Sequence, residues 1–259
     1  MPFNSFEYAL FLGLVVGLCW SLRQTRQRNI LILIASYYFY ARWDWRFLPL
    51  LLFMTLVNYT LGQALEGASG RRSRYLLAAG LTVNLGLLGF FKYFNFFVDS
   101  AARFLAALGL QTNPASLEII LPVGISFYTF QLIAYIVDVY RGQLKPERSL
   151  LNFALFAGFF PQLLAGPIER GGTLLPQIRE RRGPDPEQVE SGLLLILLGL
   201  FKKIVIADVA ATLIDSAAFT TPGEVAPGVV WQGVYLYALQ IYGDFSGYSD
   251  IARGAAAGL

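Results

Sequence analysis

The chain carries at residues 121–142 the stretch LPVGISFYTFQLIAYIVDVYRG. Most of its residues are apolar, and a helix needs only about 20 such residues to cross the hydrocarbon core of a bilayer. Four polar side chains, Tyr128, Gln131, Tyr135 and Asp138, follow one helical face at i, i+3, i+7 and i+10. Because lipid disfavours such groups, this face is expected to contact other helices or a wet passage. The stretch therefore predicts a transmembrane helix inside a bundle.

Composition extends this interpretation to the whole chain. Of 259 residues, 56% are hydrophobic and 14% are charged, whereas soluble domains have about 25% charged residues. The net charge is only +3, and the cations lie in short clusters between apolar runs, so nucleic-acid binding is disfavoured. A single cysteine, Cys19, excludes a disulfide framework. We predict an all-α, polytopic transmembrane helical bundle that forms one membrane domain over residues 1–259.

The apolar runs predict the individual helices. They lie at about 6–22, 30–43, 47–65, 75–98, 118–140, 150–165, 191–214 and 228–243, and residues 247–259 look like the start of a further helix. The runs at 30–43 and 150–165 are short, so they are predicted to be half-helices, tilted or re-entrant. Lys202, Lys203 and Asp208 fall within 191–214; either they face the bundle interior or the helix breaks there.

Cation clusters predict the orientation of the spans. Arg and Lys concentrate around residues 23–28, 71–74, 141–148 and 170–187, the last including Arg181 and Arg182. By the positive-inside rule these loops are cytoplasmic and the N-terminus is outside. Basic loops flank 150–165 on both sides, which favours a re-entrant hairpin. The stretch LLPQIRERR at 174–182 is either a solvated loop or an amphipathic helix on the membrane surface.

Two more polar clusters interrupt apolar sequence. FFPQLLAGPIERGG, residues 159–172, places Gln162 and Glu169 beside prolines and a glycine that break a helix, and the freed backbone groups can bind a ligand. The alternative is an ordinary turn. For the stripe at 121–142, the alternatives to a passage are interhelical hydrogen bonds and, for Asp138, an ion pair with Arg141.

The third cluster is QIYGDFSGYSDIARGAAAGL at residues 240–259. In a helix, Asp244 and Tyr248 share a face, Ser246 lies beside them, and Asp250 can pair with Arg253 at i+3. Carboxylates at membrane depth are costly unless they are satisfied, so they mark a site by default. The alternative is the capped N-terminal region of a new helix with surface charges.

Several chemistries are excluded for these residues. The chain has no histidine, so no residue in it is an imidazole base. It contains no stretch with the spacing of a metal site, a phosphate-binding loop or a nucleophile elbow.

Six stretches carry a resemblance to a known family. They are NILILIASYYFYARWDWRF at 29–47, NLGLLGFFKYFNFF at 84–97, LPVGISFYTFQLIAYIVDVYRG at 121–142, FALFAGFFPQLLAGPIER at 153–170, GLFKKIVIAD at 199–208 and LQIYGDFSGYSDIARG at 239–254. In this order they resemble the membrane-bound O-acyltransferase family, in the branch of alginate O-acetyltransferase membrane subunits and teichoic-acid D-alanyl transfer proteins. Gly243 departs from the pattern, which leads us to expect a bulky aromatic residue there.

The resemblance implies a mechanism. In the family a histidine deprotonates an acceptor hydroxyl, which attacks an acyl group, usually a thioester, in a tunnel across the bilayer. DFSGYSD is followed there by FWRRWH-type and WHG-type motifs that supply histidines, the second catalytic. This sequence stops at Leu259, before both, so it resembles an incomplete core and we expect residues 1–259 alone to be inactive. The implied tunnel lining is Tyr128, Gln131, Tyr135, Asp138, Gln162, Glu169, Asp244, Ser246, Tyr248 and Asp250.

The resemblance also implies partners and a location. The chain is expected to lie in the bacterial inner membrane as a multi-pass protein in contact with lipid. An acyl donor on the cytoplasmic side serves as co-substrate, and no cofactor or metal is expected to be bound. The acceptor is expected to be an exported polysaccharide such as alginate, or periplasmic acetyl-transfer proteins. Two other interpretations stay open: a transporter or channel, whose sites also use broken helices and intramembrane acids, and a non-catalytic scaffold for acyl-transfer partners.

Overall fold

The computed structural model describes residues 1–109, 120–163, 166–180, 183, 185–221 and 223–259. Within these ranges the regular structure is helical, and no β-strand occurs there. The predicted all-α fold is therefore confirmed. The basic residues Arg181 and Arg182 lie outside the described residues.

Contacts divide the chain into two compact units. The first unit comprises Met1–Ala35, Phe159–Pro167 and Glu180–Leu259, and the second comprises Ser36–Gly158 and Ile168–Arg179. Each unit is assembled from segments that are distant in sequence. The prediction that residues 1–259 form one membrane domain stays a prediction.

The first unit contains helices from both ends of the chain. They are α1 (Phe6–Ser21), the beginning of α2 (Thr25–Asp44), α7 (Phe160–Leu163), α9 (Pro186–Phe201), α10 (Val209–Thr212), α11 (Ala217–Thr220) and α12 (Pro227–Ala257). Ser5 caps α1, because its hydroxyl accepts a hydrogen bond from the Tyr8 amide at 3.1 Å. Asp185 caps α9 in the same way, and Pro186 occupies the first helical position.

The second unit contains the remaining helices. They are the end of α2, a short 3-10 helix (Trp45–Phe47), α3 (Leu48–Leu65), α4 (Gly70–Ala107), α5 (Ile125–Tyr140), α6 (Leu150–Gly158) and α8 (Gly171–Arg179). Asn58 and Asn84 join α3 to α4 through reciprocal amide hydrogen bonds of 3.2 and 2.8 Å, and both side chains are buried. The pair satisfies two amides that would otherwise be costly in an apolar interior.

Two helical stretches among the described residues are long and apolar enough to cross a membrane. They are Thr25–Leu65, of 41 residues, and Gly70–Ala107, of 38 residues; Phe6–Ser21, Ile125–Tyr140 and Leu150–Leu163 are shorter apolar helices. α9 also leaves a row of large apolar side chains exposed, with Leu194 at 60% and Leu197 at 63%. Exposed apolar faces of this size are typical of surfaces that lipid or another protein covers.

The structure corrects two of the predicted boundaries. The runs at 228–243 and 247–259 are not separate helices, because α12 continues from Pro227 to Ala257. The alternative that Asp244 lies in a capped helix N-terminus is therefore wrong. The segment 150–165 forms two short helices, α6 and α7, that belong to different units; its re-entrant path through a membrane stays a prediction.

The stretch LLPQIRERR is partly helical. Its first six residues form the end of α8, which tolerates Pro176 in its interior. The prediction of a helix is therefore confirmed for these six residues. That the helix lies on a membrane surface stays a prediction.

Candidate functional site

Within the first unit, α9 and α12 are antiparallel and in close contact. A Cβ atom at Gly199 would lie 2.5 Å from the Gly247 carbonyl oxygen, and one at Gly192 would lie 2.9 Å from the Gly254 carbonyl oxygen. Only glycine allows two helical backbones to approach this closely, as in other membrane helix pairs. The glycines therefore fix the register that places the polar residues of α12 beside the end of α9.

The helix changes its winding at this contact. Residues Lys202–Asp208 form a π-helix between α9 and α10. Such wide turns are rare and are often found at functional sites. The sequence left open whether the lysines face inward or the helix breaks; the helix continues without a break, and both lysines lie against α12.

Lys202 contacts two residues of α12. Its ammonium lies 2.6 Å from an Asp250 carboxylate oxygen and donates to the Ser246 hydroxyl at 2.9 Å. The Lys202 and Asp250 side chains are 20% and 11% exposed, so this pair is largely shielded from solvent. The Arg253 guanidinium lies 3.9 Å from the other Asp250 oxygen, which confirms the predicted i, i+3 pair.

Lys203 bridges two carboxylates. Its ammonium lies 2.7 Å from Asp208 and 2.7 Å from Asp244, and its side chain is 14% exposed. It also lies 5.5 Å from the centroid of the Tyr248 ring, within cation–π range. Asp244, a carboxylate that the sequence analysis treats as costly unless it is satisfied, is therefore paired with a cation.

We call these side chains the lysine–aspartate cluster. Its members are Lys202, Lys203, Asp208, Asp244, Ser246, Tyr248, Asp250 and Arg253. Three carboxylates meet three cations, so the formal charges cancel. A neutral cluster of hydrogen-bonded charges is the arrangement that a low-dielectric environment tolerates best.

The geometry limits what the cluster can do chemically. The Lys202 Nζ donates to the Ser246 hydroxyl and to Asp250, so this geometry does not place it to accept the proton of the serine hydroxyl. The cluster is therefore no nucleophile–base pair. It fixes charges and the Tyr248 ring at defined positions.

The local packing explains why residue 243 is a glycine. A Cβ atom there would lie 3.0 Å from the Ala207 Cβ and 3.1 Å from the Lys202 carbonyl oxygen. The π-helix thus occupies the space that a side chain would need. The aromatic residue expected from the family pattern does not fit this backbone approach.

The second unit contains the stripe on α5. Tyr128, Gln131, Tyr135 and Asp138 are all buried, so the predicted common face is confirmed as an interior face. The Gln131 amide donates to the Phe156 carbonyl of α6 at 2.9 Å. The Tyr128 hydroxyl lies near that of Tyr40 and has no hydrogen-bond partner among the described residues. For Gln131 the observed contact is the interhelical hydrogen bond that was the alternative interpretation.

Tyr135 belongs to a network that the sequence did not reveal. Its hydroxyl accepts a hydrogen bond from the backbone amide of Glu147 at 3.0 Å. The Glu147 carboxylate is itself buried and lies 2.6 Å from the Arg179 guanidinium. In the sequence, Glu147 lies between a lysine and a proline on one side and an arginine on the other, which is typical of an exposed loop. Only the tertiary structure shows that its carboxylate is buried.

Asp138 and Glu169 differ in their surroundings. Asp138 lies 3.9 Å from Arg170, so its cation comes from the segment before α8, and the alternative interpretation, a pair with Arg141, is wrong. Glu169 is half-buried beside that arginine. No polar contact with the described residues connects Glu169 to the stripe.

Gln162 lies in α7 of the first unit. It is 8% exposed, and its side-chain oxygen has no hydrogen-bond partner among the described residues. Its backbone carbonyl accepts from the Gly166 amide at 3.0 Å, and a Cβ atom at Gly166 would lie 2.6 Å from the Gln162 Cα. The backbone of Gln162 therefore leaves no room for a side chain at position 166.

The predicted site residues fall in both units. Gln162, Asp244, Ser246, Tyr248 and Asp250 belong to the first, and Tyr128, Gln131, Tyr135, Asp138 and Glu169 belong to the second. The structure brings together Lys202 with Ser246 and Asp250, and Lys203 with Asp244 and Tyr248. That all ten line a single cavity stays a prediction.

The chain is similar to proteins that are named for acyl transfer. It is similar to the probable alginate O-acetylase AlgI of Pseudomonas aeruginosa, with 43% identity over 249 residues that cover 95% of this chain and 46% of the relative. A peptidoglycan O-acetyltransferase of Helicobacter pylori is 34% identical over 250 residues, covering 86% of this chain and 46% of the relative. A teichoic acid D-alanyltransferase of Lacticaseibacillus rhamnosus is 29% identical over 141 residues, covering 50% of this chain and 34% of the relative.

The coverage of these relatives is partial. The chain spans about half the length of the curated alginate O-acetylases it matches. No family model matches the chain.

Proposed function

The chain belongs to the membrane-bound O-acyltransferase family, and from this premise we propose that it forms part of a membrane O-acetyltransferase. The reaction moves an acyl group, in our proposal acetyl, from a donor on the cytoplasmic side to a hydroxyl of an exported polysaccharide such as alginate. The relatives named for alginate and peptidoglycan O-acetylation support this assignment. The donor is a thioester or a similarly activated acyl compound that enters as co-substrate.

The observation that carries the proposal is the bridge from Lys203 to Asp208 and Asp244 beside Tyr248. Ionised groups are expensive at membrane depth and mark functional positions there. The bridge holds Asp244 and the Tyr248 ring on one face of α12, where glycine contacts prevent α12 from sliding along α9. We assign this face to one wall of the acyl-transfer site.

In our proposal the chain's residues orient and bind the substrates, and a group outside them takes the proton. Acyl transfer to a hydroxyl needs a general base, and such a base typically contributes about 10²–10⁴-fold. The chain has no histidine, and its cluster lysines are already paired with carboxylates. We therefore propose that a histidine outside residues 1–259 supplies the base in the working enzyme.

The decisive activity test uses cells that lack their own polysaccharide O-acetylation and express the whole reading frame that encodes this chain. Asp244→Asn is expected to leave the amount of protein in the membrane unchanged and to lower the acetyl content of exported polysaccharide at least tenfold. Lys92→Met, which removes an exposed lysine beside Tyr93, is the matched control and should keep full acetylation. An Asp244→Asn variant with normal acetylation removes Asp244 from the site.

A second arm of this test concerns the base. Cells that carry only residues 1–259 are expected to acetylate no exported polysaccharide. Measurable acetylation in those cells would show that the chain's own residues supply the base.

We further propose a multi-pass topology in the bacterial inner membrane, with the N-terminus outside. Single cysteines at Gln24 and Gln143, in a Cys19→Ala background, should resist a membrane-impermeant thiol reagent in intact cells. A cysteine at Glu224, in a loop that is poor in cations, is the matched control and should react. Labelling of the first two positions without permeabilisation would show that the orientation is the opposite of the one proposed.

A further inference from the structure

A pocket of about 810 Å³ lies in the second unit, and none of its lining residues belongs to the lysine–aspartate cluster. Its walls are the turn between α3 and α4, the beginning of α4, the loop after α5 and the end of α8. The cation-rich segments around 71–74 and 141–148 contribute to it. Both segments are cytoplasmic in the topology proposed above.

Buried contacts build the wall formed by the loop after α5. Glu147 is 3% exposed, and its carboxylate accepts from the Ser149 amide at 2.9 Å and from Arg179 at 2.6 Å. Its backbone amide donates to Tyr135, and its carbonyl accepts from Gln63 at 2.7 Å. A loop held at four points presents its side chains in a fixed arrangement.

The charges of the pocket leave a positive excess. Glu66 pairs with Arg148 at 3.1 Å, and Glu147 pairs with Arg179 at 2.6 Å, so both acids of the lining are neutralised. The remaining cation is Lys145, which is exposed and forms no ion pair with the described residues. The pocket therefore favours an anion, and its lysine is available to bind one.

The rest of the lining is amphipathic. Leu65, Val139 and Leu144 add apolar surface, and Tyr140 is 37% exposed at the rim. Tyrosine is enriched where a membrane meets water, because its ring prefers the apolar side and its hydroxyl the wet side.

We propose that this pocket binds the phosphate of an anionic phospholipid of the cytoplasmic leaflet, with Lys145 as the principal cation. A cationic recess with apolar walls and a tyrosine at its rim matches a head group joined to acyl chains better than it matches a free phosphate ion. The inference rests on the membrane placement given under the proposed function. It concerns lipid recognition and not the transfer reaction.

The test uses the protein in detergent with defined lipids added. Binding of phosphatidylglycerol, of the neutral phosphatidylcholine and of inorganic phosphate is measured by native mass spectrometry and by the shift in melting temperature. Phosphatidylglycerol is expected to bind and stabilise, and the other two to have little effect. Lys145→Gln is expected to weaken phosphatidylglycerol binding about fivefold, which corresponds to the roughly 1 kcal/mol of one cation near an anionic surface.

The matched control is Arg141→Gln, which removes one exposed cation from the same loop but outside the pocket lining. It should bind phosphatidylglycerol as the unsubstituted protein does. Equal losses for the two variants would overturn the proposal in favour of general surface attraction. Equal stabilisation by inorganic phosphate would overturn the lipid assignment in favour of a free anion. Neither readout depends on acyl transfer, so this inference and the proposed function fail separately.

Discussion

Replacing Lys203 by methionine tests whether the bridge in the lysine–aspartate cluster stabilises the fold. Methionine keeps most of the volume of the lysine stem and removes its charge. Asp208 and Asp244 would then face each other without the ammonium that now lies 2.7 Å from each of them. We expect a loss of about 2 kcal/mol in the free energy of unfolding.

The magnitude follows from burial. Removing one partner of a fully buried ion pair costs about 3–5 kcal/mol, because the other charge is left uncompensated. Here the Asp208 and Asp244 side chains are 45% and 31% exposed, so water solvates part of the charge that remains. A loss of about 2 kcal/mol corresponds to a fall in melting temperature of about 4–8 °C for a chain of this size.

The assay is a double-mutant cycle on the protein purified in detergent. Lys203→Met, Asp244→Asn and the double variant are compared by thermal unfolding. Because Asn at 244 removes one of the two stranded charges, the double variant should recover about 1–2 kcal/mol relative to the sum of the single losses. Lys92→Met is the control for loss of an exposed lysine and should change stability by less than about 0.5 kcal/mol.

Additive single losses would refute this reasoning, because they would mean that Lys203 and Asp244 do not interact. A fall for Lys92→Met as large as that for Lys203→Met would also refute it. In that case the effect would belong to net charge and not to the bridge.

Three further perturbations address other contacts. Gly199→Ala should impair the packing of α9 on α12 and lower the melting temperature, because the new Cβ atom would lie 2.5 Å from the Gly247 carbonyl oxygen. The control Gly86→Ala should leave the melting temperature unchanged, because a Cβ atom there meets nothing within 4 Å. Asn58→Leu should cost about 1–3 kcal/mol because it strands the buried Asn84 amide, and the double variant with Asn84→Leu should recover most of that loss in the same unfolding assay. Tyr135→Phe should speed hydrogen exchange at the Glu147 amide, which loses its acceptor, while Tyr75→Phe, at a 72% exposed position, should leave that exchange unchanged.

Much of the fold follows from apolar periodicity. The runs at 6–22 and 75–98 correspond to α1 and to the central part of α4, because uninterrupted apolar sequence of that length has few structures other than a helix. The break predicted after residue 243 is absent. DFSGYSD resembles a cap sequence, yet α12 passes through it, and its aspartates pair with lysines of the π-helical segment and do not cap a helix.

For the candidate site, too, the sequence predicted some features and missed others. The sequence identified Asp244, Tyr248 and Asp250 as costly polar residues in an apolar setting, and it marked Lys202 and Lys203 as charges that either face the bundle interior or break their helix. It gave no indication that Glu147 is buried, because a charged residue in a loop has no periodic signal. For Asp138 the alternative interpretation offered Arg141, three positions away, whereas the folded chain places Arg170 beside it, and only the tertiary structure reveals a partner that distant in sequence.

The sequence by itself determined the helical class, the family and the residues whose burial needs explanation. The periodicity of apolar residues indicates on which face of a helix a side chain lies. The composition of that face indicates which kinds of residue are costly there. Only the tertiary structure decided the pairs: Lys202 with Asp250 and Lys203 with Asp244 lie 48 and 41 residues apart in the chain. The physical reason is register. Glycine contacts fix how far α12 is displaced along α9, and that displacement, which no single helix encodes, sets which carboxylate meets which ammonium.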